Sequence, residues 1–134
     1  MIAPNIIPEG QARQAALEHA QAILAPLYAR RDALLREVAE EFDVPQAELT
    51  GGVSSYAVLP ARRVAVALTV ETLSPPFTRD TIASFFNIGD ATLYRFIATV
   101  RQWEETDPIF RHRMTFLRPR VREVIKLLEE KPNG

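Results

Sequence analysis

The break at Ser74-Pro75-Pro76 constrains this chain more than any other stretch. Two adjacent prolines remove two backbone donors and push the residue before each of them out of helical geometry, so no helix can run through. The stretch downstream of the break is legible from local chemistry. Thr78 is a good N-cap, and its hydroxyl predicts a short helix from Arg79 to Phe86. Asn87-Ile88-Gly89 then reads as a tight turn built from residues that tolerate positive φ. Gly89 or Asp90 opens a longer helix to about Thr106. Asp107-Pro108 caps and starts a last helical region that ends near Glu130, with Pro119 as a candidate bend.

Upstream of the break the spacing is also helical. Residues 1–8 form an irregular lead-in. From Glu9 to Leu24, Ala15, Leu17, Ala20, Ile23 and Leu24 recur on one broad face. Pro26 either kinks this segment or opens a second helix, which carries Leu27, Leu34, Leu35, Val38 and Phe42 to its end at Asp43 and Pro45. Pro45 to Leu49 reads as one helical turn, and Gly51-Gly52 open a loop through Tyr56. Leu59 or Pro60 begins the most apolar segment. Its β-branched run Val64 to Val70 leaves a strand conceivable, but its length and its Leu-Pro-Ala-Arg-Arg entry favour a helix. The expectation is an all-α, compact helical domain with a helix-turn-helix and extra N-terminal helices. Residues 1–33 form the N-terminal extension, 34–130 the domain and 131–134 a tail.

Bulk properties remove several function classes. The 134 residues contain no cysteine, so disulfide frameworks and thiolate metal sites are excluded. His19 and His112 are far apart and lack ligand-like spacing, so no metal or cofactor is expected. Neither a signal-peptide pattern nor a bilayer-length apolar run is present, which makes the cytoplasm the default location and membranes an unexpected partner. Enzyme readings find no support. Glu40-Glu41 and Glu104-Glu105 are consecutive on helices and point apart, Ser54 and Ser55 have no nearby histidine, and five glycines form no phosphate loop.

Net charge is −1, but it is unevenly spread. Residues 1–50 hold four basic side chains against eight acidic, and residues 51–134 twelve against nine. This asymmetry hints at a nucleic-acid face in the second half. Fourteen of the sixteen basic residues are arginine, whose planar fork suits phosphates and guanine edges, although coding bias gives the same composition.

The helix pair at 78–106 concentrates the functional signal. Ile82, Phe85 and Phe86 of the first helix are expected to pack on Leu93, Phe96, Ile97 and Val100 of the second. That leaves Gly89, Asp90, Ala91, Thr92, Tyr94 and Arg95 projecting, as the groove-facing residues of a helix-turn-helix do, with Thr78 and Arg79 near backbone phosphate. Tyr94 and Trp103 suit packing, though Tyr94 also suits a base or sugar. A second basic cluster, Arg111, His112, Arg113, Arg118, Arg120, Arg122 and Lys126, either flanks DNA, binds an acidic partner or forms a solvated helix face.

Residues 34–107 resemble the C-terminal DNA-binding domain of the bacterial replication initiator DnaA, an all-α module related in architecture to the Trp repressor. The resemblance lies in Leu35 to Leu49, in Ala61-Arg-Arg-Val-Ala-Val-Ala-Leu68 against the family's Pro-Arg-Gln helix, and in Thr81 to Tyr94, which aligns without gaps to its signature helix pair. It implies double-stranded DNA binding, with Arg62 standing at the family's Arg and Arg62 and Arg63 contacting backbone phosphate together with Thr78 and Arg79. Asp90 and Thr92 match the signature, whereas Gly89, Ala91 and Leu93 replace its Arg, His and second Thr, and the family's basic loop is replaced by the uncharged Gly52 to Val58. The expected function is therefore DNA binding by a transcriptional regulator or initiator-related accessory factor at the nucleoid, with a different site preference. The alternative is a protein–protein adaptor that keeps the fold, using the N-terminal helices to form a homodimer or to meet a regulatory partner.

Overall fold

A computed structural model describes residues 9–51 and 55–130. Among them the chain is all-α, with six helices and no strand: α1 Glu9–Phe42, α2 Gln46–Leu49, α3 Leu59–Leu73, α4 Arg79–Phe85, α5 Asp90–Thr106 and α6 Pro108–Glu130. No described helix is long and apolar enough to cross a membrane.

Helix α3 forms the centre. Ala61, Val64, Ala65, Val66 and Leu68 are all buried, on nearly every side of the helix, because α1 and α5 pack around it. Thr69 is also buried, and its hydroxyl donates back to the Ala65 carbonyl at 2.6 Å, which settles the polar group inside the helix. The β-branched run therefore packs as a helix, since tertiary burial outweighs a weak propensity. Leu34 and Val38 of α1, Ile82 of α4, Leu93 of α5, and Met114, Leu117 and Val121 of α6 complete the same core. Truncating any of these larger aliphatic side chains to alanine is worth about 2–5 kcal/mol.

Pro26 does not divide the first segment: α1 is one helix of 34 residues, about 50 Å along the chain. The proline removes the bond to the Ala22 carbonyl, but both residues are exposed, so water can satisfy that carbonyl. Pro119 inside α6 sits the same way, with Thr115 and Pro119 both exposed. The boundary between residues 33 and 34 falls inside α1, where continuous burial begins at Ala33. Every residue from Glu9 to Ile23 is exposed, so the first half of α1 is an arm extending past the body. Leu17 and Ile23 on it are 54% and 56% exposed.

The α1 helix stops at Asp43, which takes φ 53°, while the Val44 amide reaches back to the Ala39 carbonyl at 3.0 Å. Helix α6 returns antiparallel along α1. Near its start Arg113 meets Glu41 at 3.0 Å, in its middle Arg120 meets Glu41 at 3.1 Å and Glu37 at 3.6 Å, and near its end Arg30 approaches Glu129 at 4.0 Å. Phe85 sits in an aromatic cluster with Phe77 (centroids 5.0 Å apart) and Tyr28 (6.0 Å). Arg31 of α1 stacks over the Phe85 ring at 4.7 Å.

Candidate nucleic-acid interface

Three local devices place α5 against α4. The Thr78 side chain caps α4 by accepting from the Thr81 amide at 3.2 Å. The chain then turns at Asn87, whose φ of 55° is the left-handed conformation that Asn tolerates. The Ile88 amide bonds to the Ala83 carbonyl at 3.0 Å, and Asn87 Nδ2 donates to the Thr50 carbonyl at 2.8 Å. Gly89 becomes the N-cap of α5 at an ordinary φ of −84°. At the far end Asp107 Oδ1 accepts from the amides of Ile109 (3.0 Å) and Phe110 (3.2 Å), opening α6.

The α5 helix is two-faced. Leu93 and Val100 are buried, and Phe96 and Ile97 are half-buried against the core. Asp90, Ala91, Tyr94, Arg95, Ala98 and Arg101 are exposed and share an edge at helical spacing, while Thr92 is half-buried. Arg79, the first residue of α4, joins this edge: its Nη1 donates to the Tyr94 hydroxyl at 2.9 Å, and its guanidinium lies 5.1 Å from the centre of the Tyr94 ring. Arg79 and Arg101 also line one cleft of about 240 Å³ bounded by α3, α5 and α6.

Two arginines expected here are elsewhere. Arg62 is buried and donates to the Phe86 carbonyl at the end of α4, and burial lowers its pKa from the ordinary arginine value. Its charge acts as a strut between α3 and the α4–α5 turn, so it cannot reach a phosphate. Arg63 is half-buried, stacked over Phe96 at 5.6 Å and Trp103 at 5.5 Å. The same turn brings in an acid outside the expected set of residues. Asp80 lies close enough to Asp90 to raise its pKa, first by charge repulsion and then by a hydrogen bond. Both are first-turn acids, which complement a helix dipole and so draw no notice in a sequence.

The second basic cluster is largely occupied. Arg111 donates to the Glu104 and Glu105 carbonyls at 2.7 and 2.9 Å, capping the C-terminal turn of α5. Arg113 and Arg120 pair with Glu41, and Arg118 bridges Glu71 (2.8 Å) and Glu104 (2.7 Å). These two acids drive the Arg118 pKa above its usual value. Arg122 is exposed beside Glu71 and Glu129. Of the uncharged loop that replaces the family's basic one, residues 52–54 lie outside the described residues. Among those described, no group of three or more His, Asp or Glu side chains is placed to hold a metal ion.

No protein-family model matches the chain, nor does any curated protein or solved structure.

Proposed function

We propose that this chain binds double-stranded DNA, with α4 and α5 acting as a helix-turn-helix, and serves as a transcriptional regulator or accessory factor at the nucleoid. One observation carries the reading: α5 buries Leu93 and Val100 and leaves an exposed edge, Asp90, Ala91, Tyr94, Arg95, Ala98 and Arg101, with no large aliphatic side chain on it. Three arginines border that edge, Arg79, Arg95 and Arg101, and an α-helix presenting such an edge fits the major groove. The likeness of residues 34–107 to the initiator's DNA-binding domain supports the same reading. Arg62 and Arg63 leave the set of contacts, because one is buried and the other stacked inward.

The adaptor reading has its own observation. The arm of α1 is exposed from Glu9 to Ile23, and Leu17, Ala20, Leu24 and Leu27 continue the stripe that the body buries at Leu34 and Val38. In that reading the protein pairs with a second copy through the arm and reads no DNA.

The variant Arg95→Glu/Arg101→Glu separates the two. Both residues are exposed, so circular dichroism and melting temperature should match the parent protein. DNA binding predicts that a gel-shift signal with mixed-sequence duplex at low salt disappears. Equal binding by parent and variant overturns the assignment of α5. No binding by either, with self-association at micromolar protein, favours the adaptor.

A further inference from the structure

We propose that Arg79, positioned by Tyr94, is the residue with which this chain reads a guanine in the major groove; the inference rests on the DNA-binding reading above. Arg79 is exposed, yet its guanidinium is held twice, by the Nη1 bond to the Tyr94 hydroxyl at 2.9 Å and by stacking 5.1 Å from the ring centre. An arginine side chain ordinarily loses substantial rotamer freedom when it binds. Here the contact with α5 has already removed much of it, which is how preorganisation raises affinity. Of the five guanidinium N–H groups one is spent on Tyr94, and the Nε–Nη2 side retains the two parallel donors that guanine O6 and N7 require.

The surroundings favour a base edge over a phosphate. Asp80 follows Arg79 in the chain and lies against Asp90 at the start of α5. The negative charge that Asp80 and Asp90 place together at the starts of α4 and α5 disfavours a charged phosphate more than a neutral base edge. Arg95 and Arg101, further along α5, provide exposed charge for the backbone. Tyr94 is thus a positioning residue. Its ring and hydroxyl fix a fork on α4 against the edge of α5, and no local sequence pattern pairs two residues fifteen positions apart.

The test begins with selection of preferred sites from randomised duplexes by the full chain. Fluorescence anisotropy on the selected and a scrambled duplex then compares the parent with Arg79→Lys, Tyr94→Phe and Tyr94→Ala. The selected site should contain an invariant guanine. Arg79→Lys, which keeps the charge and loses the fork, should weaken binding to that site about 10- to 100-fold and to the scrambled duplex less than about threefold, with an unchanged salt slope. Tyr94→Phe should fall between the parent and Tyr94→Ala in its preference for guanine at that position. Equal losses on both duplexes, with a salt slope shallower by about one, would make Arg79 a phosphate contact and overturn the assignment. A parent protein that binds sequences without a guanine preference overturns it too, and leaves the DNA reading standing. A parent protein that binds no duplex overturns both.

Discussion

Arg62 shows how one buried cation can serve a turn. Its guanidinium loses water on burial, and the Phe86 carbonyl, left over where α4 ends, receives it. Replacing it with methionine keeps much of the volume and strands that carbonyl. Arg62→Met should cost about 2–4 kcal/mol in urea unfolding, from a broken buried hydrogen bond to a charged group. The folded variant should bind duplex DNA with an affinity close to the parent's. Unchanged stability with a large loss of DNA affinity would mean that Arg62 faces outward in solution. The inward placement could not be read from sequence. Helix α3 is apolar on nearly every side, so its pattern offers no polar face by which to tell Arg62 from its neighbour Arg63.

At the scale of elements, the α4–α5 unit was legible because each boundary is set by one or two residues: Thr78 as a cap, Asn87 at positive φ, Asp107 ahead of Pro108. The continuity of α1 was not. A proline rule assumes a buried or unsatisfied carbonyl, whereas the carbonyl freed by Pro26 belongs to the exposed arm. The partners of Phe85 were hidden too, since they come from α1 and from the stretch after the double proline. The closeness of Asp80 and Asp90 arises only once the turn folds the two helix starts together. Asp80 opposes the ionisation of Asp90, so the folded-state pKa of Asp90 lies above its unfolded value. The proton is held more tightly in the folded state. Stability from this source is therefore fully present below the unfolded aspartate pKa and is lost as pH rises through the folded value. Asp80→Asn should accordingly raise the melting temperature at neutral pH, and the increment should shrink toward zero once pH falls below about 4. Equal increments at both pH values would show that the two carboxylates do not interact.

Over the whole molecule, the uneven charge of the sequence is resolved inside the fold. The acids of the first half and the bases of the second meet where α6 runs back along α1, in the pairs of Glu37 and Glu41 with Arg113 and Arg120. A charge count along the chain shows the imbalance but not this pairing, because Arg113 and Glu41 lie 72 residues apart. The charge left outward near α5 is small: Arg79, Arg95 and Arg101. Each phosphate neutralised contributes about 0.9 to the slope of log K against log salt. The measurement that bears most directly on the central claim is fluorescence anisotropy of mixed-sequence duplex DNA across a salt series. With Arg95 and Arg101 on phosphates and Arg79 on a base, a slope of about −2 per bound chain is expected. A slope of about −6 or steeper would mean that the ion-paired α6 cluster opens onto DNA, contradicting the interface assigned to α5. Folded protein that binds no duplex at low salt would contradict DNA binding itself.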